Sequence, residues 1–426
     1  MRILAGPLLI FGALFVLVGC ASSPLERRAN ARDWPGLEHA IAQAEAEGKW
    51  SSSDARDLAH EILAADLKEP AKAQANGWVA ELQQCSSDLL SELKSRSKVN
   101  DEVGAASMRI LEEIDQVSFA PLVEKYAGSD DPRWRAVGLR AAVESSDTSR
   151  LLRGFVDGDV GVRRAALGAA RMSAGSIDIA ALLNAANHDP DALNRSLAAR
   201  VETARGGERA VLFLRDYWAS VTPAERVAFV EAWAEPAALG AGGERELVWV
   251  IETQHGMAQI SAAAVLQRHS QTARGVLLSA VRDGALEEQR LAAQLISLEQ
   301  SDVVPTLKQV AESGADPGVR VVIWHRLATV AAEKKAAIAA LRVLAQGQGR
   351  EAQGARYALA AAGDPSVIPV LQTELTAQDP STRLQSAFSL LALGQAPKAA
   401  HLLADRSTEV RRKVACMLLA PAHESR

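Results

Sequence analysis

Residues 379–394 read Asp379-Pro380-Ser381-Thr382-Arg383-Leu384-Gln385-Ser386-Ala387-Phe388-Ser389-Leu390-Leu391-Ala392-Leu393-Gly394. Leu384, Ala387, Phe388 and Leu391 fall at i, i+3, i+4 and i+7, the spacing that lines up one apolar stripe on a helix. Asp379 is placed to cap the free N–H groups of the first turn, and Pro380 fits where no donor is needed. Gly394 stops the helix. So short a helix cannot bury its stripe alone. It needs neighbours of the same kind, and the chain supplies them by repetition.

The same start recurs at Asp131-Pro132…Arg135, Asp159…Arg163, Asp189-Pro190…Arg195 and Asp316-Pro317…Arg320. Arg226, Arg290 and Arg411 hold the arginine's place in less regular copies, and Gln259 and Ala352 hold it in two more. Successive gaps are about 28 to 33 residues, so about ten copies fill residues 117–420. A shorter apolar helix precedes each start, for example Pro121–Val123, Leu151–Leu152, Ile179–Leu183, Val303–Leu307 and Val367–Leu371. The expected unit is a helix pair with a tight turn inside it, and the expected fold is all-α.

This pattern resembles the HEAT-repeat family, including its short bacterial HEAT-like members, most closely at Val162-Arg163-Arg164-Ala165-Ala166-Leu167 and Val410-Arg411-Arg412-Lys413-Val414-Ala415. The resemblance implies a right-handed α-solenoid with a long concave wall that takes up extended or helical protein partners. It also implies a structural ladder of hydrogen bonds between neighbouring repeats, through Asp131, Arg135, Asp159, Arg163, Asp189, Arg195, Asp316, Arg320, Asp379, Arg383 and Arg411. Such a role suits arginine, because a half-buried guanidinium needs carboxylates or carbonyls for its donors. Tetratricopeptide repeats are disfavoured: their Trp/Leu-Gly/Tyr spacing is missing and the period here is too short.

Composition agrees with short packed helices. The 426 residues are 48% hydrophobic but only 4% aromatic, where a sheet protein would be richer in aromatic and β-branched side chains. The net charge of −5, from 47 basic and 52 acidic residues, argues against nucleic acid as the main ligand.

The N-terminus reads differently. Arg2 precedes an uncharged apolar run from Ile3 to Val18, followed by Gly19 and Cys20. The run is short for a membrane span and right for a secretory signal. Leu17-Val18-Gly19-Cys20 resembles the lipobox of bacterial lipoproteins, which implies removal of residues 1–19 and lipidation of Cys20. Ala21 in place of Asp resembles the enteric pattern for sorting to the outer membrane. Residues 20–33 are expected to form a flexible tether, roughly 20 Å long as a coil and about 45 Å stretched. The folded body is then expected on the periplasmic face of the envelope. Residues 34–116 carry helical patterns without the Asp-Pro start, and read either as an atypical terminal cap of the array or as a separate small bundle. Residues 421–426 form a tail.

The repeat is weakest from Gly206 to His255, where Trp218, Trp233 and Trp249 gather beside Tyr217. Two readings stay open, a bulky core in a poorly matched joint or an exposed aromatic anchor for a partner. Further candidates for partner contact are Arg140, Arg164, Arg200 and Gln294, at polar positions of second helices.

Signals for chemistry are few. No two of the eight histidines have the i, i+4 spacing of a helical zinc site, and there is no Cys-x-x-Cys. Deoxyhypusine hydroxylase is similar in fold and binds iron through His-Glu pairs, but here these occur only at His60-Glu61 and His423-Glu424, outside the array. Phycobilin lyases share the repeats, without a residue here that carries their activity. No catalytic residue, metal site or cofactor is expected. With Cys20 assigned to lipid, Cys85 and Cys416 are expected as buried free thiols, because they lie near opposite ends of the array. The reading is a non-catalytic interaction scaffold; the alternative is an envelope enzyme or the regulatory subunit of one.

Overall fold

The computed structural model describes residues 23–67, 90–99, 103–105, 107–108, 126–141, 148–172, 179–204 and 207–420. Cys20, Cys85, Pro121–Val123 and the 421–426 tail lie outside that set. The fold is all-α, and among the described residues there is no strand.

In chain order the helices are α1 (Pro24–Asn30), α2 (Trp34–Ala46), α3 (Ser52–Leu67), α4 (Leu90–Arg96), α5 (Pro132–Ala141), α6 (Thr148–Phe155), α7 (Val160–Met172) and α8 (Ile179–His188). There follow α9 (Ala192–Ala204), α10 (Glu208–Tyr217), α11 (Pro223–Trp233), α12 (Glu244–Thr253), α13 (Met257–Leu266), α14 (Gln271–Asp283) and α15 (Leu286–Leu295). The last are α16 (Val303–Glu312), α17 (Pro317–Leu327), α18 (Lys334–Ala345), α19 (Arg350–Ala361), α20 (Ile368–Glu374), α21 (Pro380–Ala392) and α22 (Thr408–Leu419). Short helical turns at Ala396–Ala399 and Ala400–Ala404 stand before α22.

From α5 onward the helices work in pairs. The second helices α5, α7, α9, α11, α13, α15, α17, α19, α21 and α22 each pack on the next, in one unbroken row, and the first helices lie against them. Each second helix is short, and several, such as α7 and α19, are Ala-rich, which narrows their buried face.

In α21, Asp379 accepts the Thr382 N–H at 2.9 Å, Pro380 occupies the first turn, and Gly394 closes the helix with φ +71°. The buried face, however, consists of Arg383, Ser386, Ala387, Ser389 and Leu390. Leu384 and Leu391 are half-buried and Phe388 is 56% exposed. The stripe expected from spacing is therefore turned by part of a turn, because the rung arginine takes a place in the core. Burying Ala387 and Leu390 fully is worth about 1 and 2 kcal/mol at roughly 25 cal/mol per Å² of apolar surface.

Two expectations for the N-terminus are corrected. The segment 23–33 is not a bare tether: Ser23 and Glu26 form a reciprocal capping box (3.1 and 2.8 Å) that starts α1, and α1 packs on α2 and α3 with Ala29 buried. The unit α1–α3 caps the array's far end, with α3 against α22 and α2 against residues 400–404. The Trp50 indole N–H donates to the Pro397 carbonyl (2.9 Å), Arg412 pairs with Asp66 (2.6 Å), Glu45 bonds His401 (2.8 Å), and the Arg411 guanidinium lies 3.9 Å over the Trp34 ring. Cys416 is disulfide-bonded, which corrects the expectation of a free thiol there. Sequence distance was a poor guide to spatial distance because the chain's start folds back onto its last helix.

Candidate binding surface

The rung arginines fix how neighbouring pairs register. Arg135 grips Asp157 with two bonds of 2.9 Å, Arg163 grips Asp189 at 2.8 and 3.2 Å, and Arg383 grips Asp405 at 2.6 and 2.8 Å. The remaining arginine nitrogen turns back to two carbonyls of its own turn: Ser129 and Asp130, Asp157 and Gly158, or Ala377 and Gln378. Each guanidinium thus ties its own turn and seizes the next. The Arg135 guanidinium holds the Asp157 carboxyl below the usual carboxylate range, against the opposing effect of burial.

The carboxylate of each rung stands two residues before the residue that caps the helix, as Asp157 before Asp159, Asp189 before Asp191, and Asp405 before Ser407. Asp131, Asp159 and Asp379 are caps rather than rungs. Asp316 does both, capping Gly318 at 2.8 Å and accepting from Arg290 at 3.2 Å. Where the rung carboxylate is missing, the arginine falls back on carbonyls: Arg195 on Asp189 and Pro190, Arg320 on Ala311, and Arg411 on Asp405.

Trp218 and Trp233 are core, and Trp249 is half-buried against them. Trp233 is fully buried and stacks on Trp218, with ring centres 5.6 Å apart, and Trp249 meets Trp218 edge-on at 5.3 Å. The Trp218 indole donates to Gln254 and the Trp233 indole to the Val211 carbonyl. Tyr217 is half-buried and stacks on Phe213. Arg215 sits 3.3 Å over Trp249. Burial overturns the exposed-anchor reading for Trp218 and Trp233; the chain beyond them turns irregularly at 236–243, where Gly242 takes φ +106°.

The surface that stays open lies on the second helices. In each, one residue makes the first backbone bond back to the cap, such as Arg195 to Asp191, Arg226 to Thr222, Ile260 to Gly256 or Arg383 to Asp379. Five positions further on stand Arg200, Glu231, Val265, Gln294, His325 and Phe388 in α9, α11, α13, α15, α17 and α21, all exposed or half-exposed. From α9 to α17 they form one column; in α19 the same position is the buried Ala358, so Phe388 of α21 stands apart from it. Arg200 and Gln294 were legible from periodicity; Glu231, Val265, His325 and Phe388 were missed, and the signal that finds them is the fixed offset from the cap. Arg140 has the same offset in α5, but its side chain lies outside the described set. Arg164 spans two helices, bonding Asn194 (3.1 Å) and Asp191 (3.2 Å). Beside the column, a cleft of about 220 Å³ is lined by Arg171, Leu197, Arg200, Glu231, Ala232 and Glu235, with Arg171 paired to Glu235 at 2.6 Å. Leu193 adds an apolar patch, 54% exposed.

One buried acid stands apart from the ladder. Glu202 is 1% exposed, neither carboxylate oxygen has a hydrogen-bond partner, and the neighbouring Thr203 hydroxyl also lacks one. Burial pushes its carboxyl up to about 7, with Arg209 pulling weakly the other way.

No protein-family model matches this sequence, and no curated protein matches it. Among solved structures, the crystal structure of an engineered protein aligns over 82% of this chain and 100% of its own, at 17% identity and a TM-score of 0.29; so low a score carries no conclusion about fold or function.

Proposed function

We propose that this chain is a HEAT-like, right-handed α-solenoid, lipidated at Cys20, held on the periplasmic face of the envelope, in the outer membrane, and acting as a non-catalytic scaffold for a protein partner. The observation that carries this reading is the column of exposed side chains on an unbroken row of second helices. From α9 to α17 basic, acidic, apolar, amide and imidazole groups follow one another at the spacing of adjacent helices, roughly 10 Å. Such a mixed stripe suits an extended or helical polypeptide better than a small ligand, since successive helices meet successive side chains. The Cys416 disulfide supports export, because disulfides persist in oxidising compartments and are rare in the cytosol.

The test is capture from detergent-solubilised membranes with the full lipoprotein, beside a variant carrying Leu193→Ser, Val265→Ser and Phe388→Ser. These side chains are exposed, so melting should stay unchanged. A protein captured by the native chain, lost with the variant, and bound again in purified form is the expected result. Equal capture by both forms sinks the column as a binding site. The anchor has its own check: labelled palmitate should enter the native chain and not the Cys20→Ser variant.

A further inference from the structure

We infer that Glu202 is a proton-operated latch between α9 and α10, seated while neutral and driven from its seat, with the first turn of α10, when it ionises. Glu202 stands in the last turn of α9, 1% exposed, and neither carboxyl oxygen has a hydrogen-bond partner. The Thr203 hydroxyl beside it is sealed and unpartnered as well. A neutral carboxyl can occupy such a place at the cost of its bonds to water. A carboxylate cannot, because a buried charge needs a partner.

None of the helices around it supplies that partner. Those packed on α9 are α7, α8, α10, α11 and the turn Pro236–Ala238. The ionisable groups at this end of α9 are Arg171 of α7, Glu231 and Glu235 on the α11 side, and Glu208 and Arg209 of α10. Arg171 pairs with Glu235 at 2.6 Å, and Glu231 lies 3.6 Å from Arg200. α8 has only His188, toward the other end of α9, and Pro236–Ala238 has none. Arg209 is the cation that acts on the Glu202 carboxyl, and it is exposed and unbonded to it. The pull on an ionised carboxyl is therefore outward, toward Arg209 and water.

Gly207 couples that motion to α10. The carboxyl rests on this glycine so closely that a Cβ there would lie 2.5 Å from Oε1. The Gly207 N–H donates to the Glu202 carbonyl at 3.2 Å, and the Gly207 carbonyl accepts the Ala210 and Val211 N–H groups, both at 3.1 Å, to start α10. Arg209 lies two residues beyond Gly207. A side chain moving toward it displaces Gly207, and the first turn of α10 goes with it.

Hydrogen exchange, expressed as protection relative to the unfolded chain at each pH, reads the latch. An acid at 4.5 when exposed and about 7 when seated favours the open joint by roughly thirtyfold more at pH 8.5 than at pH 5.5. Protection of residues 208–214 in the native chain should fall by about that factor. Glu202→Gln keeps the shape and cannot ionise, so its protection there should stay level. Gly207→Ala fills the seat and should give the low protection already at pH 5.5. α13–α19 should stay protected in all three, which separates opening of this joint from failure to fold. A native chain without the fall, or a Glu202→Gln chain that keeps it, overturns the latch. So does Gly207→Ala with residues 208–214 still protected at pH 5.5, because carboxyl and α10 would then be uncoupled. If Gly207→Ala loses protection in α13–α19 too, the native and Glu202→Gln chains still decide.

Discussion

Asp157 and Glu202 are both carboxylates drawn out of water, and the fold treats them in opposite ways. Asp157 receives two bonds from Arg135 and is held in its charged form. Glu202 receives none and is pushed up to about 7 from an ordinary value of 4.5. An acid whose folded value lies above its unfolded one contributes its full stability below about 4.5 and loses it as the pH rises through 7. At about 1.4 kcal/mol per pH unit the loss is at most roughly 3 kcal/mol. Glu202→Gln mimics the neutral acid, so it should melt like the native chain at pH 5 and above it at pH 8. Equal melting at both would show that Glu202 finds a partner in solution. Nothing in the sequence marked this residue, since Glu-Thr at the end of a helix is ordinary surface composition. The tryptophans were visible as a cluster, but their facing was not, because aromatic rings serve a core and a binding anchor equally well. Trp233→Ala should cost about 3–5 kcal/mol by opening a cavity, measured as a fall in the urea midpoint.

At the scale of the helix pair, the arginines explain both the regularity of the array and the errors in its alignment. The Asp-Pro dipeptide is read as one signal, yet Asp189-Pro190 supplies a rung while Asp379-Pro380 supplies a cap. Both placements put a carboxylate at the turn, and periodicity cannot separate positions two residues apart. Helix existence, pairing and the second-helix offset were legible because they follow from apolar spacing and capping chemistry. The buried face of α21 was misjudged because Arg383, a charged residue, holds a core position and turns Phe388 outward. Rung strength is testable by contrast. Arg383 and Asp405 are each under 10% exposed, so Arg383→Ala leaves a buried carboxylate unpaired and should cost about 3–5 kcal/mol. Arg195 donates to carbonyls of its own turn, and Arg195→Ala should cost only about 1 kcal/mol. Urea unfolding followed by helicity reads both; equal losses would mean that the rung adds nothing beyond tying the turn.

Over the whole molecule, the unforeseen feature is that the chain's start completes its end. A repeat array is readable from sequence because each unit touches its neighbours, and that same locality hides a contact between residues some 350 positions apart. The Cys416 bridge makes the point testable by chemistry alone. One sulfur cannot hold both a thioether lipid and a disulfide. If Cys20 carries the lipid, Cys85 is the one cysteine left for Cys416. A peptide map of the non-reduced lipoprotein should therefore show the Cys416 peptide linked to the Cys85 peptide, with the diacylglyceryl mass on Cys20. A loop of roughly 330 residues would then be closed, for which the chain-entropy account gives stabilisation near 6 kcal/mol, less whatever native geometry costs. Cys416→Ser should lower the thermal midpoint accordingly. A Cys416 peptide linked to Cys20 would instead leave that sulfur without lipid and remove the proposed anchor, while keeping the joint between the two ends intact.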